Sequence, residues 1–250
     1  MDTSATRNGT TYIDRQQIVN HLGTHQINKT QPQTVHPGTA NHHRLLNMPE
    51  QPQNNPHRPL LIHQQNVNKS LLSQLDLLAT LKCDDYDICV IQEPYIDFNG
   101  KSWANWQWNI LYPNAHQEHP DSMRSIILVN TNLLTDSWKQ IKFQHSDITA
   151  ITLQGDFGTL CLINIYNNCN NNNALTHVSN FMRDRDNQTQ AGTPVKTLWL
   201  GDFNRHHPLW DEAQNAHVFT HANLDLAQPL LNMLGRQNMK MALPPFTLTL

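Results

Sequence analysis

A chain of 250 residues has room for one large α/β domain or two small ones, and 17 basic against 20 acidic residues leave a net charge of −3. That balance argues against a polyanion partner for the whole surface, while leaving room for a local basic groove. Four cysteines without a Cys-x-x-Cys pair, no apolar signal-peptide core and no run near the ~18 apolar residues of a membrane span predict a soluble intracellular protein with reduced thiols.

Residues 1–58 are rich in Gln, Asn, His, Thr and Pro, as in Gln51-Pro52-Gln53-Asn54-Asn55-Pro56. Such a segment has too little apolar surface to offset the roughly 1–2 kcal/mol per residue that ordering costs, which predicts a disordered tail. His42-His43, with no Cys partners or scaffold, read as tail composition rather than a metal site. The folded domain is expected over 59–250.

The first strand spans 59–66 and ends in the polar Gln64-Gln65-Asn66. From 69 to 81, Leu71, Leu72, Leu75, Leu78 and Leu81 recur at helical spacing behind Ser70, a suitable amino-terminal cap. A second strand over 88–91 carries Cys89 and runs into Gln92-Glu93-Pro94. Pro94 has no amide proton for a ladder, so Glu93 is left at a strand exit. Residues 97–122 hold Trp103, Trp106 and Trp108 among polar residues. They read as a surface loop pinned to the core by aromatics rather than as a base-stacking loop.

A third strand follows at 125–129, then a hairpin of 148–153 and 160–166 turned at Gly155-Asp156-Phe157-Gly158. The asparagine run 167–173 reads as loop filler before a helix over 174–185. Next comes Leu198-Trp199-Leu200-Gly201-Asp202-Phe203-Asn204, an apolar run that ends in glycine and delivers a carboxylate and a carboxamide. Asp202 and Asn204 are thereby placed at the carboxyl end of a strand, where α/β sheets keep their chemistry. A last helix is expected over 223–238, stopped by Pro244-Pro245. Hairpins mixed with strand–helix alternation predict an α/β class with mixed sheets. No dinucleotide or phosphate-loop glycine pattern and no Gly-x-Ser-x-Gly elbow occurs.

Five strand ends therefore carry Asn66, Glu93, Tyr166, Asp202 and Asn204. One glutamate, one aspartate and amides suit a hard divalent ion such as Mg2+, which commonly takes one or two carboxylates and fills its shell with water and phosphate. A tyrosine hydroxyl can donate to a non-bridging phosphate oxygen.

These motifs, Gln65-Asn66-Val67-Asn68, Val90-Ile91-Gln92-Glu93-Pro94, Ile163-Asn164-Ile165-Tyr166 and Gly201-Asp202-Phe203-Asn204, resemble the endonuclease/exonuclease/phosphatase superfamily. The longer string Gly201-Asp202-Phe203-Asn204-Arg205-His206-His207-Pro208-Leu209-Trp210 is similar to the apurinic-endonuclease-like domain of non-LTR retrotransposons. The resemblance implies a DNase I-like four-layer sandwich, two mixed β-sheets flanked by helices. It also implies phosphodiester hydrolysis with Mg2+ or Mn2+, here DNA nicking by an intracellular monomer, nuclear where it meets DNA, with a reverse transcriptase in full-length relatives. Carried over by position, Glu93 and Asn66 hold the metal and Tyr166 contacts the scissile phosphate. Asp202 orients or deprotonates water, and Asn204 holds the phosphate. His206 and His207 fit the subgroup string, and a polar turn before Pro208 explains them at least as well.

The superfamily pattern continues with a further aspartate and a late Asp-His pair, whereas this sequence has no histidine after His221 and no acidic residue after Asp225. The expectation is a domain lacking its last strands and a very poor nuclease. Two other readings are a non-catalytic remnant that binds nucleic acid or protein, and a phosphoesterase for a phosphoinositide or sphingomyelin. The Arg-His-His-Pro string speaks against the last.

Overall fold

The computed structural model describes residues 59–118, 120–155, 157–188 and 195–242. The expected tail with His42-His43 and the Pro244-Pro245 stop lie outside the described residues. Eight strands and three α-helices occur within them, in the order β1 (Ile62–Asn66), α1 (Leu71–Thr80), β2 (Ile88–Gln92), β3 (Trp108–Leu111), β4 (Ser125–Asn130), β5 (Trp138–Ile141), β6 (Ile148–Gly155), β7 (Gly158–Tyr166), α2 (Asn173–Gln188), β8 (Val195–Asp202) and α3 (His221–Arg236). No helix among them is long and apolar enough to cross a membrane.

The strands form two four-stranded sheets, ordered β1-β2-β4-β3 and β5-β6-β7-β8. Each sheet is mixed: β1 with β2 and β7 with β8 run parallel, and the remaining pairs are antiparallel. Parallel neighbours need a crossover connection, and α1 and α2 supply it.

Side-chain alternation divides the apolar residues into three layers. Ile62, Ile88, Val90, Ile127 and Val129 of the first sheet meet Ile151, Leu153, Leu160, Leu162 and Leu200 of the second. The opposite face of the first sheet (Cys89, Ile91, Ile126, Leu128) takes Leu77 and Leu81 of the α1 region and Trp108 of β3. The opposite face of the second (Ala150, Cys161, Ile163, Ile165, Trp199) takes Leu175, Val178 and Met182 of α2 and Leu230 and Met233 of α3. This is a four-layer α/β sandwich of two mixed sheets between helices.

Several expectations need correction. Strands β3 and β5 were not anticipated: each is a four-residue outer strand, Trp-Asn-Ile-Leu and Trp-Lys-Gln-Ile, defined by pairing to its neighbour rather than by an alternating run. The tryptophans of 97–122 do not act together. Trp108 is buried in β3, while Trp106 is 84% exposed and Trp103 partly so. Helix α1 has the expected cap, with the Ser73 N–H donating to Ser70 Oγ at 3.2 Å. Its inward face is Gln74 and Leu77, however, and Leu72 is 79% exposed. Gln74 sets that rotation: its amide donates to Ser102 Oγ at 2.8 Å and to the Trp103 carbonyl at 2.7 Å, and it accepts from the Tyr95 N–H at 2.8 Å. A buried amide with three partners specifies an orientation as well as a contact.

Candidate active site

Period-two alternation makes Ile62, Gln64 and Asn66 of β1, Ile88, Val90 and Gln92 of β2, Leu162, Asn164 and Tyr166 of β7, and Leu198, Leu200 and Asp202 of β8 face the space between the sheets. Toward one end of that space the residues change from aliphatic to polar. A belt of buried Gln92, Ser125, Thr149 and Asn164 joins the sheets there. Gln92 Nε2 donates to Asn164 Oδ1 at 2.5 Å. Asn164 Nδ2 donates to the carbonyls of Ile91 (3.0 Å) and Ile126 (2.8 Å). Thr149 Oγ1 donates to the Ser125 carbonyl at 2.8 Å, and Ser125 Oγ to the Asn164 carbonyl at 3.1 Å.

Above this belt the strand ends meet. Parallel register sets Asn66 against Gln92 and Tyr166 against Asp202. Asn66 Nδ2 donates across the sheets to Asp202 Oδ2 at 3.1 Å. Tyr166 reaches the other way, its hydroxyl close enough to the Glu93 carboxylate to be acted on by it. Glu93 lies one residue past β2 at φ +47°, an uncommon left-handed conformation for a side-chain-bearing residue. Main-chain bonds fix it there: its N–H donates to the Arg124 carbonyl (2.9 Å) and its carbonyl accepts from the Lys69 N–H (2.7 Å).

Gly201 supplies the close approach. Its φ is +141°, and a Cβ built there would lie 1.8 Å from the Ile165 carbonyl oxygen. The bare peptide exchanges two hydrogen bonds with Gln64, Nε2 to the Gly201 carbonyl at 3.1 Å and the Gly201 N–H to Oε1 at 3.3 Å. Asp202 Oδ1 accepts from the Asn204 N–H at 3.0 Å. Asn204, at φ +48°, spends one amide hydrogen on the Asn167 carbonyl (2.8 Å), which leaves one N–H for another acceptor. Thus Asn66, Glu93, Tyr166 and Asp202 share one polar cluster, and Asn204 borders it.

Burial raises the Asp202 pKa, opposed by the bonds from Asn204 and Asn66 and assisted by the nearby Glu93 charge. Burial likewise raises the Tyr166 pKa, and the neighbouring Glu93 carboxylate adds to it, so the hydroxyl stays protonated and able to donate. Glu93, the Asn66 amide oxygen (which also accepts from the Asn68 N–H at 2.8 Å) and Asp202 make an all-oxygen donor set. That chemistry fits Mg2+ or Mn2+. No group of three or more His, Cys, Asp or Glu residues gathers as a full cage among the described residues.

Besides the polar belt, Arg124, Asp147 and the structural role of Arg205 were not legible in the sequence. Arg124 forms a bidentate pair with Asp147 and lies with its guanidinium carbon 4.5 Å from the Tyr166 ring centroid. Arg205, only 6% exposed, holds the asparagine run. It donates to the carbonyls of Asn168 (3.0 Å), Cys169 (3.3 Å), Asn204 (2.5 Å), Asn171 and Leu226 (2.9 Å), and to Asn172 Oδ1. Residues 167–172 are therefore a bound loop, not filler. Asn167 seals its start, its N–H donating to the Asp202 carbonyl at 2.8 Å. His206 and His207 belong to a turn wound on Asp211, whose carboxylate accepts from the His207 N–H at 2.7 Å and lies 3.5 Å from His206 Nδ1.

The sandwich is shared with known enzymes. The endonuclease domain of TRAS1, a telomere-specific non-LTR retrotransposon, aligns at a TM-score of 0.51 and 16% identity over 74% of this chain and 76% of that one. The AP endonuclease LMAP from Leishmania major aligns at 0.53 and 13% identity over 71% and 66%. At such identities the likeness is one of fold. A family model described as endonuclease-reverse transcriptase matches residues 160–250, from β7 through α3. No curated protein matches the sequence. The chain is thus similar to these nucleases in fold, and to the endonuclease-reverse transcriptase family in sequence over residues 160–250. That partial match agrees with the string at 201–210.

Proposed function

We propose that residues 59–250 form a divalent-metal-dependent phosphodiesterase domain that nicks DNA, of the retrotransposon type, preceded by a tail at 1–58. The observation that carries this reading is the gathering of Asn66, Glu93, Tyr166 and Asp202 at one end of the inter-sheet space. There Asn66 Nδ2 donates across the sheets to Asp202 Oδ2, and the Glu93 carboxylate lies close to both Tyr166 and Asp202. Glu93 and the Asn66 amide oxygen would hold Mg2+ or Mn2+, which supplies Lewis acidity toward a phosphoryl oxygen. Asp202, held on both oxygens and raised by burial, accepts the proton of the attacking water. Tyr166 Oη donates its hydrogen to a non-bridging oxygen of the scissile phosphate. The remaining amide N–H of Asn204 steadies the same group. DNA is the partner, and the setting is intracellular and nuclear.

Residues 222–250 contain no histidine, so the late phosphoryl-stabilising histidine implied by the resemblance is not among the groups named above. Removing one such preorganised group costs roughly 10²–10³ in rate. The test is nicking of supercoiled plasmid with Mg2+ by this chain and by a form carrying a related domain's late Asp-His strands. Slow nicking by the first, fast nicking by the second and loss of both on Asp202→Asn is the expected result. An extended form that nicks no faster than its Asp202→Asn variant refutes the reading.

A further inference from the structure

We infer that Arg124 is a second anion-binding residue of this site, taking a phosphate of the nucleic-acid backbone on the edge of its guanidinium that Asp147 leaves uncovered. The inference rests on the phosphodiesterase reading and adds a residue to which that reading gives no role. Arg124 is anchored at the opening of the sandwich: its carbonyl accepts from the Glu93 N–H at 2.9 Å, and its N–H donates to the Ser146 carbonyl at 3.2 Å. Its side chain leaves the start of β4 in the first sheet and reaches Asp147, just before β6 in the second. Asp147 is tied to Tyr166 in turn, since its carbonyl accepts from the Tyr166 N–H at 2.9 Å.

The pairing geometry decides what the guanidinium can still do. Nε donates to Asp147 Oδ1 at 2.9 Å and Nη2 to Oδ2 at 2.6 Å. This is the lateral edge, and it consumes two of the five N–H donors of an arginine. The terminal fork, Nη1 with the second Nη2 hydrogen, faces away from Asp147, and the guanidinium lies over the Tyr166 ring. Asp147 is sunk, with 5% of its side chain exposed, against 23% for Arg124. An oxyanion arriving over Tyr166 therefore meets the cation and not its carboxylate. A planar fork matches two phosphate oxygens, a recognition that a lysine cannot reproduce. Stacking on Tyr166 and the lateral pair to Asp147 hold the fork in place before substrate arrives, so little side-chain freedom is lost on binding.

The experiment measures the affinity of the whole chain for a short DNA duplex in EDTA as a function of salt. Each neutralised phosphate contributes about 0.9 to the slope of log K against log salt. Arg124→Met is expected to weaken binding and flatten the slope by about that amount, while Arg124→Lys keeps the slope and recovers part of the affinity. Arg124→Met leaves Asp147 buried without its partner, which can unfold the chain. The double variant Arg124→Met/Asp147→Asn removes both charges and is expected to flatten the slope equally. Thermal melts establish that each variant is folded. Weaker binding with an unchanged slope in either methionine variant overturns the inference and leaves the phosphodiesterase reading intact. Failure of the unaltered chain to bind DNA at any salt concentration overturns both.

Discussion

Two halves of one inter-sheet space differ more from each other than the two sheets do. One half is dry, filled by Ile88, Val90, Ile127, Val129, Ile151 and Leu162. The other holds Gln64, Gln92, Ser125, Thr149 and Asn164, and the site opens above it. Inward alternation runs through both halves without a break, so the backbone is the same and only the side-chain chemistry changes. Aliphatic packing is non-directional and tolerates small shifts. A hydrogen-bonded amide specifies an orientation as well as a contact. The half beneath the chemistry is thus built from directional contacts, and the half remote from it from area.

The junction between the halves should be the most fragile point. Gly201→Ala places a methyl against the Ile165 carbonyl at an unfavourable φ and is expected to abolish soluble folded protein, a cost above ~4 kcal/mol. Circular dichroism of the purified variant, compared with the parent chain, checks this.

Asp202→Asn should remove nicking by roughly 10²–10⁴, the contribution of a positioned general base. The sign of its effect on stability is opposite. Burial raises the folded-state pKa of Asp202, so the folded chain holds the proton to higher pH than the unfolded chain does. Its stabilising contribution is present on the acid side and is lost as pH rises through the folded pKa. The variant should therefore melt higher than the parent at pH 7. Nicking by the parent should fall on acidification at a pH above the ordinary carboxylate range. A melting temperature lowered by Asp202→Asn at neutral pH would contradict the burial argument.

Leu162→Ala, in the dry half, is expected to cost roughly 2–5 kcal/mol in denaturant unfolding and to leave nicking per folded molecule unchanged. Asn164→Leu strips partners from Gln92 Nε2 and from the Ile91 and Ile126 carbonyls, at roughly 1–3 kcal/mol per buried group left unsatisfied. Unlike Leu162→Ala it should also slow nicking, because Gln92 adjoins Glu93. Equal effects of the two on nicking would erase the distinction between the halves. The smallest change is Gln64→Ala, which deletes two hydrogen bonds to the Gly201 peptide, about 0.5–1.5 kcal/mol each. Amide hydrogen exchange at Gly201 should rise in this variant, with little movement of the global melt.

The dry half was readable in the sequence because runs such as Ile88-Cys89-Val90-Ile91 end at residues that stop a ladder or bend it. Pro94 and Gly201 mark those ends, and this is why Glu93 and Asp202 could be placed from letters alone. The polar half was not readable. Glutamine and asparagine at inward positions look like turn residues until the partner across the sheets is known, and Gln92 and Asn164 are 72 positions apart. The inward face of α1 was misjudged for the same reason: Gln74 is buried by its partners, and its own hydropathy argues the other way. Arg205 could not be read as a structural residue because most of its acceptors are main-chain carbonyls, which every sequence has everywhere.

Arg205 also bears on the order in which the molecule assembles. Its acceptors at Asn168 to Asn172 lie 33 to 37 positions before it, and Leu226 lies 21 after it. The bonds to the asparagine loop cannot close until β8 has docked beside β7, and the Leu226 bond needs the chain to have returned through α3 as well. Contacts of such sequence separation form after local ones, because loop closure must precede them. The asparagine loop should then have φ-values near zero, and weakening the clamp should speed unfolding while leaving the folding rate almost untouched. A chain paused before α3 would hold both sheets and all five polar strand ends, yet its loop would still lack the Leu226 tie.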